Sequence, residues 1–94
     1  MLESKWSDWF DFNQEMFSKV PEAPGVYMMH SAMKILFIGG SENMKKSIEN
    51  TLEKCVSSAT RFRYKKENEF EKMKNELIID FKKRHEGHPP ACMN

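Results

Sequence analysis

Two short apolar segments with four residues between them limit what this chain can fold into. Residues 26–30 (VYMMH) and 35–38 (ILFI) are rich in β-branched and aromatic side chains, the composition that favours strands. The residues that separate them fit a hairpin loop. Each segment is far shorter than the roughly 20 apolar residues that cross a bilayer. We therefore predict two antiparallel strands and no membrane contact.

The residues after this hairpin predict a helix, a third strand and another helix. Apolar side chains recur at helical spacing over residues 42–55. Gly39 and Gly40 are expected to end the preceding strand, and Ser41 is expected to cap the helix. Residues 59–65 (ATRFRYK) alternate aromatic and cationic side chains, as in a strand with one buried face. Helical spacing returns over residues 67–85, before a glycine and two prolines.

The first 19 residues are rich in aromatic side chains whose spacing fits one broad helical face. They are Trp6, Trp9, Phe10, Phe12 and Phe17. We predict an N-terminal helix over residues 1–19, capped by Ser4 or Ser7 and ended by the prolines of residues 20–25. Its aromatic face either covers the sheet or docks a partner, and a second copy of the chain would form a homodimer through it.

The length of 94 residues and the hydrophobic fraction of 39% indicate one domain with one modest core. The predicted fold is therefore a single α+β domain over residues 1–94. Its core, residues 20–94, is a three-stranded antiparallel sheet flanked by helices in the order ββαβα, with the N-terminal helix added.

The net charge of +1 favours neither a nucleic-acid-binding nor a membrane-surface protein. The charge is unevenly distributed, however, since residues 1–24 are acidic overall and residues 61–85 are basic. The predicted nucleic-acid-binding residues are Lys45, Lys46, Arg61, Arg63 and Lys65. The alternative is an ordinary solvated surface, because acidic residues are interspersed among these cations.

Two cysteines stand far apart, and no apolar run at the N-terminus is typical of a signal peptide. We expect reduced cysteines and a cytoplasmic location. His85, His88 and Cys92 match no standard zinc spacing, so no metal site is predicted.

Two triplets on the predicted hairpin resemble the signature of the GIY-YIG nuclease family. They are Gly25-Val26-Tyr27 and Phe37-Ile38-Gly39, and a helix follows the second. Residues 59–64, 75–78 and 89–94 also resemble the closing half of small family members, so the resemblance covers about residues 20–94. It implies a small antiparallel sheet flanked by helices. It also implies phosphodiester hydrolysis by one divalent metal, two tyrosines, an arginine on the first helix of the core and a glutamate on a later helix.

The resemblance places catalytic groups at four positions, of which only Tyr27 keeps the family's residue type. The changed positions are Phe37, Ser47 and Lys74, where the family has Tyr, Arg and Glu. A serine cannot clamp a phosphate as a guanidinium does, and an ammonium group cannot bind a cation. A shift of register towards Glu71 or Glu76 would restore one carboxylate.

Three functions are consistent with these residues. The first is a diverged GIY-YIG-like domain that binds nucleic acid, with DNA as the expected partner, and has little or no nuclease activity. The second is an active endonuclease that requires Mg²⁺ or Mn²⁺; no cofactor is expected otherwise. The third is a protein-interaction scaffold. Because removal of one member of a catalytic set costs several powers of ten in rate, the first function is favoured.

Overall fold

One antiparallel sheet of four strands organises the part of the chain described by the computed structural model, which is residues 6–31, 34–50 and 58–93. The strands are β1 (Phe10–Asp11), β2 (Gly25–Ser31), β3 (Lys34–Ser41) and β4 (Arg61–Lys66), in the spatial order β1-β4-β2-β3. The helices are α1 (Gln14–Phe17), α2 (Met44–Asn50) and α3 (Phe70–Arg84), and a 3-10 helix spans Ala91–Met93. The α+β class is confirmed, whereas the GIY-YIG family assignment stays a prediction.

The β2–β3 hairpin is confirmed, but β3 is longer than predicted. Gly39 and Gly40 do not end it, because they pair with Tyr27 and Val26 of β2, and the strand continues to Ser41. A Cβ atom built on Gly39 would lie only 2.5 Å from Cζ of Tyr27. The glycine therefore lets the tyrosine ring lie directly against the neighbouring strand, and this close approach explains its place within the strand.

The prediction of an N-terminal helix over residues 1–19 is wrong for the residues described. Phe10 and Asp11 form β1, and the only helix of this segment is the four-residue α1. Ser7 does not cap a helix: its backbone N–H donates to the Tyr64 carbonyl at 2.8 Å, and its Oγ accepts the N–H of Tyr64 at 3.0 Å. The backbone N–H and C=O groups along the edge of β4 require hydrogen-bond partners. This segment supplies them, and that pairing is favoured over the helix that its imperfect apolar spacing predicts. The sheet consequently has four strands rather than three.

Helices α2 and α3 are confirmed, with corrections at their ends. Asn43, not Ser41, caps α2, since its Oδ1 accepts the N–H of Lys46 at 3.1 Å. Ser41 instead accepts the N–H of Asn43 at 3.1 Å. Residues 51–57, where the predicted helix continued, lie outside the described residues. At the end of α3, the N–H of Gly87 donates to the Lys82 carbonyl at 2.7 Å, and Gly87 has a φ of 88°, which suits glycine.

Both faces of the sheet are covered by helices. Alternation along β2 places Tyr27 and Met29 on the face that packs against Phe17 of α1 and Ile48 of α2. Phe62 of β4 lies opposite Met29 and is completely buried on the same face. We call this the core face. The other face is covered in part by α3.

Two further findings concern the helices and the cysteines. No helix in the described ranges is long and apolar enough to cross a membrane. Cys92 is disulfide-bonded, so the expectation of reduced cysteines is wrong at this residue. The cytoplasmic location stays a prediction.

Phe62→Ala should cost about 3–5 kcal/mol in the free energy of unfolding, because it removes a fully buried ring. The rings of Phe10, Phe12 and Phe17 lie 5.3–6.3 Å from that of Phe62, measured between centroids. Urea denaturation measures the change. Ile79→Ala is the matched control, since Ile79 is 54% exposed and its loss should cost at most about 0.5 kcal/mol. Equal losses in the two variants would contradict the described core.

Candidate functional site

Three of the four positions that the family resemblance selects meet on the core face. The hydroxyl of Tyr27 and Oγ of Ser47 are 2.8 Å apart and share a hydrogen bond. The Tyr27 ring stacks on the Phe37 ring, with centroids 6.1 Å apart and planes 21° from parallel. Tyr27 is only 3% exposed. The structure thus brings Tyr27, Phe37 and Ser47 together in a closed, packed arrangement.

The hydroxyl pair of Tyr27 and Ser47 can do little acid–base chemistry on a substrate. Ser47 is uncharged and either hydroxyl can donate to the other, so the hydrogen bond satisfies two polar groups at the edge of the core. A tyrosine that relays a proton must come within hydrogen-bond reach of its substrate. Burial and the contact with Ser47 keep the Tyr27 hydroxyl from such an approach.

Lys74, the fourth position, lies apart from the other three. A Cβ atom built on Gly40 would lie 3.4 Å from Cβ of Lys74, so α3 passes behind Gly40. Gly40 pairs with Val26 and faces away from the core face, whereas Gly39 and Tyr27 face towards it. The sheet therefore separates Lys74 from the Tyr27 hydroxyl.

An open groove of about 460 Å³ lies between α2 and the first turn of α3. It is lined by Ser41, Glu42, Asn43, Lys46, Ser47, Asn50, Phe70 and Glu71. Glu71, which a shift of register would select, thus lines the same groove as Ser47. The sequence did not single out Asn43 and Asn50, although their positions three or four residues from Lys46 and Ser47 place them on one side of a helix.

The groove offers few protein ligands for a divalent cation. Mg²⁺ takes about six oxygen ligands in octahedral geometry, and in sites that handle phosphates one or two carboxylates supply part of this set while water and the phosphate supply the rest. Glu42 and Glu71 are the two carboxylates that line the groove, and Lys46 lies beside them with a positive charge. Across residues 6–31, 34–50 and 58–93, no group of three or more His, Cys, Asp or Glu side chains is placed to hold a metal ion. No catalytic step through a metal is derived from this donor set.

Arg63 is enclosed by aromatic rings on the face opposite the core. Its guanidinium carbon lies 4.6 Å from the ring centroids of both Trp6 and Trp9. Its Nη2 also contacts Sδ of Met28 at 3.8 Å. Burial lowers the pKa of Arg63 below its usual value. Arg63, predicted to bind phosphate, therefore holds the N-terminal segment against the sheet through cation–π contacts.

His30 and Arg61 continue this aromatic and cationic surface. The rings of His30 and Trp9 lie 4.8 Å apart between centroids, with planes tilted by 41°. Trp9, His30, Thr60 and Arg61 line a pocket of about 290 Å³, and Arg61 is exposed. The pKa of His30 is lowered first by burial and then by the charges of Arg63 and Arg61. We call Trp6, Trp9, His30, Arg61 and Arg63 the tryptophan–arginine face.

The five cations predicted to bind nucleic acid do not form one surface. Arg61, Arg63 and Lys65 alternate with Phe62 and Tyr64 along β4, so they lie on the side opposite the core face. Lys45 and Lys46 belong to α2, which packs on the core face. The sheet divides the predicted set into two groups.

Comparisons with protein-family models, with curated proteins and with solved structures found no match for this chain. The resemblance to the GIY-YIG family therefore depends on the residues of the chain itself.

Tyr27→Phe and Ser47→Ala should be energetically coupled, because each removes one partner of the same hydrogen bond. A double-mutant cycle measured by urea denaturation should give a coupling of about 0.5–1.5 kcal/mol. Tyr64→Phe combined with Ser47→Ala is the control. Its coupling should be close to zero, because the structure gives no hydrogen bond between Tyr64 and Ser47 in the described residues. Equal coupling in both cycles would contradict the assigned contact.

Arg61→Gln should raise the pKa of His30 towards its ordinary value of 6.5, since one of the charges that lower it is removed. NMR titration of the imidazole measures the shift. A histidine with a lowered pKa contributes stability above pH 6.5 that is lost as the pH falls through its folded-state pKa. The variant should therefore lose less stability on acidification. Lys46→Gln, on the other face of the sheet, should leave the His30 titration unchanged; an equal shift in both variants would contradict the assignment.

Proposed function

We propose that this chain is a diverged GIY-YIG-like domain that binds nucleic acid and has little or no nuclease activity. The observation that carries the proposal is the tryptophan–arginine face, where two indole rings, an imidazole and two guanidinium groups share one surface. The triplets of the β2–β3 hairpin support the family assignment.

The tryptophan–arginine face offers both kinds of contact that nucleic acids need. Aromatic rings stack on bases, and this contact tolerates any base sequence. Exposed arginine and lysine side chains pair with backbone phosphates and release counterions. Arg61 is exposed, and Lys65 lies on the same side of β4. Arg63 orients the two tryptophans rather than contacting phosphate itself.

The contacts of Tyr27 support the part of the proposal that expects little or no cleavage. Its hydroxyl is occupied by Ser47 and its ring by Phe37, so the one retained family residue is closed to a phosphodiester. The active endonuclease remains the alternative, with Glu71 as a carboxylate that lines the same groove as Ser47.

A protein-interaction scaffold is the second alternative, and the structure narrows the surface it would use. Phe10, Phe12 and Phe17 pack against the core. Phe10 and Phe12 are also half-buried but pack on the core face, whereas Trp6 and Trp9 lie over Arg63 on the other face. A homodimer through this segment would bury these two indole rings.

The test combines binding and cleavage in one set of reactions. The chain is incubated with supercoiled, branched and single-stranded DNA in Mg²⁺ or Mn²⁺, and binding is measured separately over a range of salt concentrations. We expect intact DNA and an affinity that falls with salt, with a logarithmic slope of about −0.7 per phosphate contact on single strands. Replacing Arg61 and Lys65 by Gln should reduce that slope, whereas Lys46→Gln should not.

Two outcomes would overturn the proposal. Absence of binding at low salt would remove the nucleic-acid function and favour the scaffold. Cleavage that Tyr27→Phe abolishes would show that the family chemistry survives with substitute groups.

A further inference from the structure

We propose that the pocket between Trp9, His30, Thr60 and Arg61 takes one unpaired base of a single-stranded nucleic acid, so that the chain prefers single strands to duplexes. This inference rests on the proposed nucleic-acid binding and specifies its substrate class. It concerns the side of the sheet opposite Tyr27 and requires no catalytic group.

The size and walls of the pocket suit a single planar ring. Its volume of about 290 Å³ is just below the range of about 300–1,000 Å³ that is typical of sites for drug-sized ligands. Two of its four lining residues, Trp9 and His30, are aromatic, and their rings already touch each other. A base therefore stacks on the ring surfaces that border the pocket and does not insert between them.

The pocket is held in place by the backbone of the sheet. The N–H of Thr60 donates to the His30 carbonyl at 2.8 Å, and the Thr60 hydroxyl lies 3.4 Å from the same oxygen. Trp9 is fixed from a second direction by the guanidinium of Arg63. A preformed pocket of this kind spends little entropy on ordering its side chains when a ligand binds.

The charges around the pocket favour a base with its phosphate attached. Arg61 borders the pocket and is exposed, so its guanidinium reaches a phosphate next to a bound base. Asp11 lies directly opposite Arg61 in the β1–β4 pair and forms no ion pair with it in the described part of the chain. Its carboxylate opposes the approach of a phosphate, which makes Asp11 a sensitive position for a test.

Stacking in this pocket distinguishes single strands from duplexes. In a duplex each base is stacked between its neighbours and paired, so its flat surface cannot reach a protein ring without unstacking. An unpaired base has no such cost. The preference for single strands over duplexes then comes from stacking in the pocket, whereas the charges of Arg61 and Lys65 attract the phosphates of both.

The experiment measures the affinity of the full chain for three fluorescein-labelled probes of equal length by anisotropy at low salt. The probes are a single-stranded oligothymidylate, the same strand in a duplex with oligoadenylate, and an abasic strand that keeps the phosphates. We expect the single strand to bind about tenfold or more tightly than either of the other two probes.

Trp9→Ala should remove this preference by weakening single-strand binding about tenfold or more, with little effect on the duplex. Phe81→Ala is the control, because it removes an aromatic ring of α3 that is outside the tryptophan–arginine face and does not line this pocket. It should leave the ratio of the two affinities unchanged. Asp11→Asn should tighten the binding of all three probes, because it removes a charge that repels phosphate beside Arg61, and it should leave the ratio of their affinities unchanged.

The failure of this inference and the failure of the proposed function give different results. Binding of all three probes with equal affinity, unchanged by Trp9→Ala, overturns the base pocket and leaves nucleic-acid binding intact. Binding of none of the probes overturns both.

Discussion

Strand β2 is paired along both of its edges, and the rest of the fold takes its position from that pairing. Residues 25–29 of this strand are all buried, so both faces of the sheet must be covered. Helices α1 and α2 cover one face and α3 covers part of the other. The pairing also sets Tyr27 between Gly39 and Tyr64. Any change that shifted β2 by one residue would exchange its two faces and separate Tyr27 from Ser47.

The two faces of the sheet have opposite chemical character. On the core face, a hydroxyl pair and a stacked ring close the region around Tyr27. On the other face, α3 leaves β4 partly uncovered, and the half-buried Trp6 and Trp9 fill that space. The Nε of Arg63 is buried there and has no hydrogen-bond partner within the described part of the chain. The contacts with two indole rings offset part of the cost of removing its charge from water.

Elements with strong local periodicity could be predicted from the sequence, and those held by distant contacts could not. The hairpin, α2 and α3 have such patterns, whereas the pairing of Ser7 with Tyr64 is a contact between distant residues that displaced the expected helix. Tyr27 and Phe37 could be placed together because they occupy adjacent strands of one hairpin. The separation of Lys74 from them depends on the face that α3 covers, and the enclosure of Arg63 depends on a tertiary contact with Trp6.

The short helix Ala91–Met93 lies against β3, the strand at one side of the sheet, where Sδ of Met93 accepts the N–H of Ile38 at 3.4 Å. An edge strand has unpaired backbone N–H and C=O groups, and a strand of another molecule can pair with them. A thioether sulfur is a weak acceptor, but the turn that carries it occupies the space such a strand would need. These three residues therefore cover part of this edge and hinder the edge-to-edge pairing of strands from which fibrous aggregates grow.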